Sequence, residues 1–263
     1  YHGSEAQKVM SQITLVFSIA PAVAPVVGGI LLNTLGWRSI FWVLFAFTLA
    51  VLAWTARSLP ETHPPSARTP LHPRTMARNY RAVLGRPEFL LLAFVPALNF
   101  CAFFLYVAGA QSFLVDLLGV STWGFGWLFI PLITGVMIGA TVSGRVAGRL
   151  AARRTVRLGY LFMAAACVLN LALAVFAPPH VAIHVAPIFV YMIGSSIVMP
   201  TIVVMMLDLF PTMRGLASSL QGFVHFSLSA VNAGTITPLL SHSLWALAFG
   251  MAGFTLGSFA LWL

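Results

Sequence analysis

The chain has 263 residues, of which 60% are hydrophobic, 13% aromatic and only 7% charged. Soluble domains run near a quarter charged, so too few polar side chains are present to cover a soluble enzyme, and the low-hydrophobicity signature of disorder is missing. The mean hydropathy of +0.96 and formal charge of +9 describe a polytopic membrane protein, because the arginines fall in short blocks between long uncharged stretches rather than on a nucleic-acid-binding face.

A helix needs about 20 apolar residues to cross a hydrocarbon core of roughly 30 Å. With the charges as boundaries, the first span lies between Lys8 and Arg38 and the second between Arg38 and Arg57. In the first, Pro25 removes a backbone hydrogen bond and Gly28-Gly29 admits a close neighbour, which suits a pivot or seal as well as plain packing. Residues 58–87 form a basic, proline-rich linker with Pro60, Pro64, Pro65, Pro70, Pro73 and Pro87. Within it the pattern predicts a short helix capped by Thr75, running to Leu84 and closed by Gly85. Met76, Tyr80, Val83 and Leu84 share one face of that helix, with Arg78 and Arg81 opposite, so it suits either the inner membrane surface or a plain tether.

The third span runs between Glu88 and Asp116 and carries Asn99, Phe103, Tyr106 and Ala110 on one face; the fourth lies between Asp116 and Arg145. The stretch from Arg157 to Asp208 fits two spans broken at Pro178-Pro179-His180, the second of them with Tyr191, Ser195, Met199 and Ile202 on a face. After Arg214 come two more, broken near Pro238 and Ser241-His242-Ser243. The first of these aligns Gln221, His225, Ser229 and Asn232, a stripe that either titrates through His225 or bonds neighbouring helices. The expected fold is all-α with eight spans, divided into 1–57, the linker 58–87, and a six-span half 88–263.

Cytoplasmic loops collect Lys and Arg. With the start inside, all positive residues except Arg38 fall on the cytoplasmic side, so both ends are expected there. Trp37, Trp42, Trp123 and Trp127 then anchor the outer ends. The chain opens on Tyr1 with no signal-like segment and runs apolar to Leu263, so it is expected to be part of a longer protein. Cys101 and Cys167 lie in apolar segments, which argues against a disulfide framework. His180 and His184 lack a third ligand nearby and no glycine-rich nucleotide loop occurs, so neither a metal nor a cofactor is expected.

Several motifs carry a family resemblance. Ala20-Pro21-Ala22-Val23-Ala24-Pro25-Val26-Val27-Gly28-Gly29 resembles the antiporter motif in the fifth helix of major facilitator superfamily transporters, with Ala20 and Ala24 at two positions that are glycine there. Gly36-Trp37-Arg38 and Phe41-Trp42 are similar to the start of the sixth helix, and Leu59-Pro60-Glu61-Thr62 to its end. Gly144-Arg145-Val146-Ala147-Gly148-Arg149 with Arg153-Arg154 resembles the basic cytoplasmic loop of a half, with Gly148 where that pattern has an acid. Phe210-Pro211-Thr212-Met213-Arg214-Gly215, followed by Ala217-Ser218-Ser219, is similar to the loop before the eleventh helix.

The branch most resembled is that of the bicyclomycin and chloramphenicol resistance exporters, drug/proton antiporters of bacterial inner membranes. The resemblance implies the last eight of twelve helices, the preceding four as necessary partners, the lipid bilayer as medium, and a small-molecule substrate exchanged for protons. Asn99, Phe103, Tyr106, Tyr191, Ser195, Met199, Gln221, His225 and Asn232 would then border the substrate cavity. Glu5, Glu61, Glu88, Asp116 and Asp208 all sit at span ends, so the coupling carboxylate is expected upstream of this chain. A small-metabolite transporter of the same fold is the first alternative. A membrane enzyme would need embedded acid/base residues, and a non-transporting interaction protein would not need the Pro/Gly-rich first span.

Overall fold

The computed structural model describes residues 3–61, 72–121 and 124–263, apart from the side chains of residues 3–4, 14–15, 17–22, 25–26 and 33. Thr62, Pro64, Pro65, Pro70 and Trp123, and the side chains of Ala20 and Pro25, therefore lie outside the described residues. The regular elements are α1 Gly3–Leu35, α2 Trp37–Ser58, α3 Pro73–Leu84, α4 Pro87–Ala108, α5 Gly126–Val146, α6 Ala152–Phe176, α7 Val181–Asp208, α8 Arg214–Val231, α9 Thr237–Leu240 and α10 Leu244–Trp262. π-Helical turns follow α4 at Ser112–Leu117 and join α8 to α9 at Asn232–Ile236.

Seven described helical rods are long and apolar enough to cross a membrane: α2, α4, α5, α6, α7, Arg214–Leu240 and α10. The 33-residue α1 occupies the place of the first expected span. The chain is an all-α polytopic membrane protein, with the two longest stretches broken where the sequence pattern breaks, at Ala177–His180 and Ser241–Ser243. One boundary differs: α3 starts at Pro73 rather than after Thr75, because proline's fixed φ and missing N–H suit the first helical position.

Two compact units are present, Ala20–Arg81 and a larger one of residues 82–263 with the start of α1 up to Ile19. In the smaller unit, Gly36 turns the chain between α1 and α2 with φ +79°, a conformation that costs glycine little. The Ser39 hydroxyl donates to the Gly36 carbonyl at 2.6 Å, and Arg38 lies 4.5 Å over the Trp37 ring. α2 has no buried residue, so its apolar side chains are all available to lipid or to other helices.

In the larger unit, α7 packs against both α5 and α6, while α4 packs against α7, α8 and α10. The main core joins Val95, Leu105, Phe113, Leu128, Met163, Ile188 and Met251. A second cluster of Val83, Phe89, Ala93, Met206, Phe210, Ala217 and Leu220 ties the last turn of α3 to the ends of α4, α7 and α8.

Backbones touch where α7 meets its two neighbours. A Cβ built on Gly139 would fall onto the Ile193 carbonyl, and one on Gly194 would lie 2.5 Å from the Gly159 carbonyl. Within the described residues an added Cβ at Gly28 or Gly29 meets nothing within 4 Å. Gly139→Leu is accordingly expected to lower the unfolding free energy by about 3 kcal/mol or more, since carbonyl atoms cannot yield as a side chain does. Denaturation in detergent measures it; a loss under about 0.5 kcal/mol would show that α5 and α7 are not in backbone contact.

Candidate functional site

The polar residues of the spans separate into three groups. The first is an interior network among α4, α6, α7 and α10. Tyr191 donates from its hydroxyl to the Asn99 carbonyl at 3.1 Å, and the Asn99 amide reaches the Tyr160 hydroxyl at 3.5 Å. Tyr160 and Ser258 share a 2.6 Å hydrogen bond, and Ser258 donates to the Val95 carbonyl at 3.0 Å. The Thr255 hydroxyl lies 3.4 Å from that of Tyr191, and the Asn170 amide donates to the Tyr106 hydroxyl at 2.6 Å.

Three of the residues expected at the cavity, Asn99, Tyr106 and Tyr191, belong to this network. Asn99, Phe103, Tyr106 and Tyr191 are 3%, 8%, 1% and 0% exposed, so within this chain their shared faces look into the bundle. Asn232 is buried too, donating to the Cys101 carbonyl at 3.0 Å. Burying an unbonded amide or hydroxyl in an apolar medium costs several kcal/mol, and pairing them across helices offsets that cost. Tyr160, Asn170, Thr255 and Ser258 complete the network. Their signal in the sequence is a polar side chain in the middle of an apolar span.

The second group is half-open. His225 on α8 faces Phe100 on α4 at 4.4 Å between ring centroids, and Phe100 stacks on Phe104 at 5.0 Å. His225 and Gln221 are half-buried, as are Ser195 and Met199 on α7. The Nδ1 of His225 is buried and has no hydrogen-bond partner among the described residues. The imidazole edge thus adds a polar group to an otherwise aromatic surface. Phe100 and Phe104, on the face of α4 next to the expected one, are the lining residues that sequence periodicity passed over.

The third group lies near the ends of α1, α5 and α7 that carry Lys8, Arg145 and Asp208. The Gln7 amide donates to the Thr201 hydroxyl at 2.9 Å and lies 3.4 Å from Ser143 Oγ. Ser143 donates to the Ile197 carbonyl at 3.3 Å and Ser11 to the Gln7 carbonyl at 2.8 Å. All four side chains are buried, at 8%, 2%, 0% and 3% exposure for Gln7, Ser11, Ser143 and Thr201. A Cβ on Gly144 would sit 3.6 Å from that of Ser11, in ordinary contact.

The basic loop motif follows directly. Gly144 and Arg145 end α5, Arg153 and Arg154 open α6, and Arg145, Arg149, Arg153 and Arg154 are all exposed. Gly148 has φ +78°, which accounts for glycine at a position where an acidic side chain would be strained. Ala24 is exposed on α1, and Gly28 and Gly29 are half-buried. Asp208 is paired with Arg214 at 3.0 Å, a surface contact worth at most about 1 kcal/mol. The His184 imidazole bonds the Pro178 carbonyl at 3.2 Å and so closes the turn before α7.

Comparison with known sequences gives a consistent set. The Major Facilitator Superfamily profile matches residues 1–233. Over 238 residues the chain is 28% identical to a bicyclomycin resistance protein homolog of Haemophilus influenzae, across 89% of this chain and 59% of that protein. Over 246 residues it is 26% identical to the uncharacterized MFS-type transporter YdgK of Bacillus subtilis, across 91% of this chain and 59% of that one. Over 135 residues it is 28% identical to the multidrug resistance protein MdtM of Salmonella typhimurium, across 51% and 32%. The chain thus spans 59% of the length of the Haemophilus and Bacillus relatives.

Proposed function

The chain belongs to the major facilitator superfamily, a family of membrane transporters, and from that premise we propose that it forms most of a secondary exporter for drug-like or small amphipathic compounds. The names of the Haemophilus and Salmonella relatives support the drug class. In this reading the protein sits in the bacterial inner membrane with its arginine-rich loops in the cytoplasm, its units being 1–57, 58–87 and 88–263. It works by alternating access, with helices beyond this chain completing the cavity and supplying the carboxylate that exchanges protons.

The observation that carries the substrate reading is the half-open surface of His225, Phe100 and Phe104. A flat, weakly polar compound can stack on the phenylalanines beside the half-buried imidazole. Gln221, Ser195 and Met199 extend the same reading, Met199 as an adaptable apolar wall. Two donors of the interior are already engaged, Asn170 with the Tyr106 hydroxyl and Tyr191 with the Asn99 carbonyl, which favours weakly polar compounds over sugars or amino acids.

The test uses the intact transporter in inverted membrane vesicles. Addition of a lipophilic cationic drug should collapse part of an imposed proton gradient, and His225→Ala should reduce drug efflux about tenfold at matched abundance, the value of one lost polar contact in a dry site. A gradient untouched by any drug tested would overturn proton exchange. Full efflux by His225→Ala would remove the aromatic surface from the substrate path.

A further inference from the structure

We propose that α3 is a docking surface for the headgroups of anionic phospholipid, holding the linker in the membrane interface. At 100° per residue, Val83, Met76, Tyr80, Leu84 and Ala77 occupy one continuous arc of the helix, and Arg81, Arg74 and Arg78 occupy the arc directly beside it. The arginines therefore flank the apolar strip instead of opposing it, as the sequence reading had Arg78 and Arg81.

Among the described residues, one edge of this strip is packed and the rest is open. Val83 is fully buried in the cluster with Phe89, Ala93, Met206 and Phe210. Met76, Tyr80 and Leu84 remain 40%, 38% and 42% exposed. Arg86, two residues beyond α3, donates to the Leu209 carbonyl at 3.5 Å and lies 5.2 Å over the Phe210 ring. These contacts fix the last turn of α3 at the level where the spans α4 and α7 end.

A helix whose last turn is held at the end of two membrane spans starts from the bilayer interface. There an apolar strip enters the acyl boundary, and a flanking row of guanidinium groups reaches phosphate oxygens, which it can grip with two hydrogen bonds at once. Of the nearby acids, Asp208 is paired with Arg214 and Glu88 lies in the first turn of α4, leaving the arginines in excess. Charge complementarity selects anionic phospholipid over a zwitterionic surface or a protein partner. The surface is independent of the transport reading, because it needs only a membrane-spanning α4 and α7.

The experiment places nitroxide labels at Met76, Tyr80 and Arg78 of the intact transporter, reconstituted in bilayers of phosphatidylcholine alone or with phosphatidylglycerol. Collisions with oxygen and with a water-soluble nickel chelate report the depth of each label, whichever face of the membrane α3 occupies. With phosphatidylglycerol present, Met76 and Tyr80 should be oxygen-accessible and Arg78 nickel-accessible. In phosphatidylcholine alone all three should be nickel-accessible. Each of Arg74→Gln and Arg81→Gln should weaken the phosphatidylglycerol dependence by about fivefold, the ratio for one basic residue at an anionic surface. Nickel-accessible labels at Met76 and Tyr80 in both bilayers would overturn the proposal, as would equal insertion in both. Transport need not survive labelling for either result to be read.

Discussion

Replacing Gln7 with Leu is expected to cut efflux by the intact transporter about tenfold and to open to water the ends of α1, α5 and α7 that carry Lys8, Arg145 and Asp208. Gln7 reaches two hydroxyls on two other helices, Thr201 at 2.9 Å and Ser143 at 3.4 Å, in a site that excludes solvent. An isobutyl group of similar volume fills the space but donates nothing, leaving buried oxygens without their proton donor. The cost is about 1–3 kcal/mol, which displaces a two-state equilibrium by roughly five- to 150-fold. Under the proposed alternating access that loss falls on the state described here, in which the three helix ends are together. A cysteine at Ser11, 2% exposed in this arrangement, provides the measurement through its labelling rate in inside-out vesicles. Unchanged labelling in the Gln7→Leu background would mean that the cluster is not part of the moving contact.

The second large effect is expected at Tyr106 and Asn170. Each should lower stability when truncated singly, Tyr106→Phe by about 1 kcal/mol and Asn170→Leu by about 2 kcal/mol, because the partner is left buried and unbonded. Asn170→Leu is the more harmful since its amide also lies 3.3 Å from the Met251 sulfur. The double variant should be less damaged than the sum, with a coupling of about 1–2 kcal/mol, near the upper end for interhelical bonds in membrane proteins. Reversible unfolding in mixed micelles gives all four corners of the cycle. Additive losses would show that the 2.6 Å contact contributes nothing beyond its two side chains.

Span positions were legible in the sequence because charge is expensive in hydrocarbon. Arg38, Asp116, Arg145 and Asp208 mark ends for a physical reason, and the helices stop beside them. Helical periodicity also grouped Asn99, Phe103, Tyr106 and Ala110 correctly, and all four are buried. What periodicity lacks is a direction: in lipid the apolar side of a helix need not be its inner side, so a shared face can look at a cavity or at a neighbour. The Gln221 to Asn232 stripe shows the same limit, with Gln221 and His225 half-buried while Ser229 and Asn232 are 8% and 0% exposed. Gln7 was passed over for a different reason. Lys8 served as the boundary of the first span, yet α1 begins at Gly3, and its first turns carry the polar contact.

The glycine contacts along α7 have a mechanical consequence. Where backbone rests on backbone, at Gly139 against Ile193 and Gly159 against Gly194, the interface contains no rotamers to rearrange and little room for sliding. α5, α6 and α7 thus make a stiff slab. Helices α4 and α8 meet through Phe100, His225 and other side chains that can change rotamer without breaking backbone packing, so compliance concentrates there. Bending in this unit should then fall on the helix pair that bears the half-open aromatic surface, and amide hydrogens of α8 should exchange with solvent ahead of those in the slab.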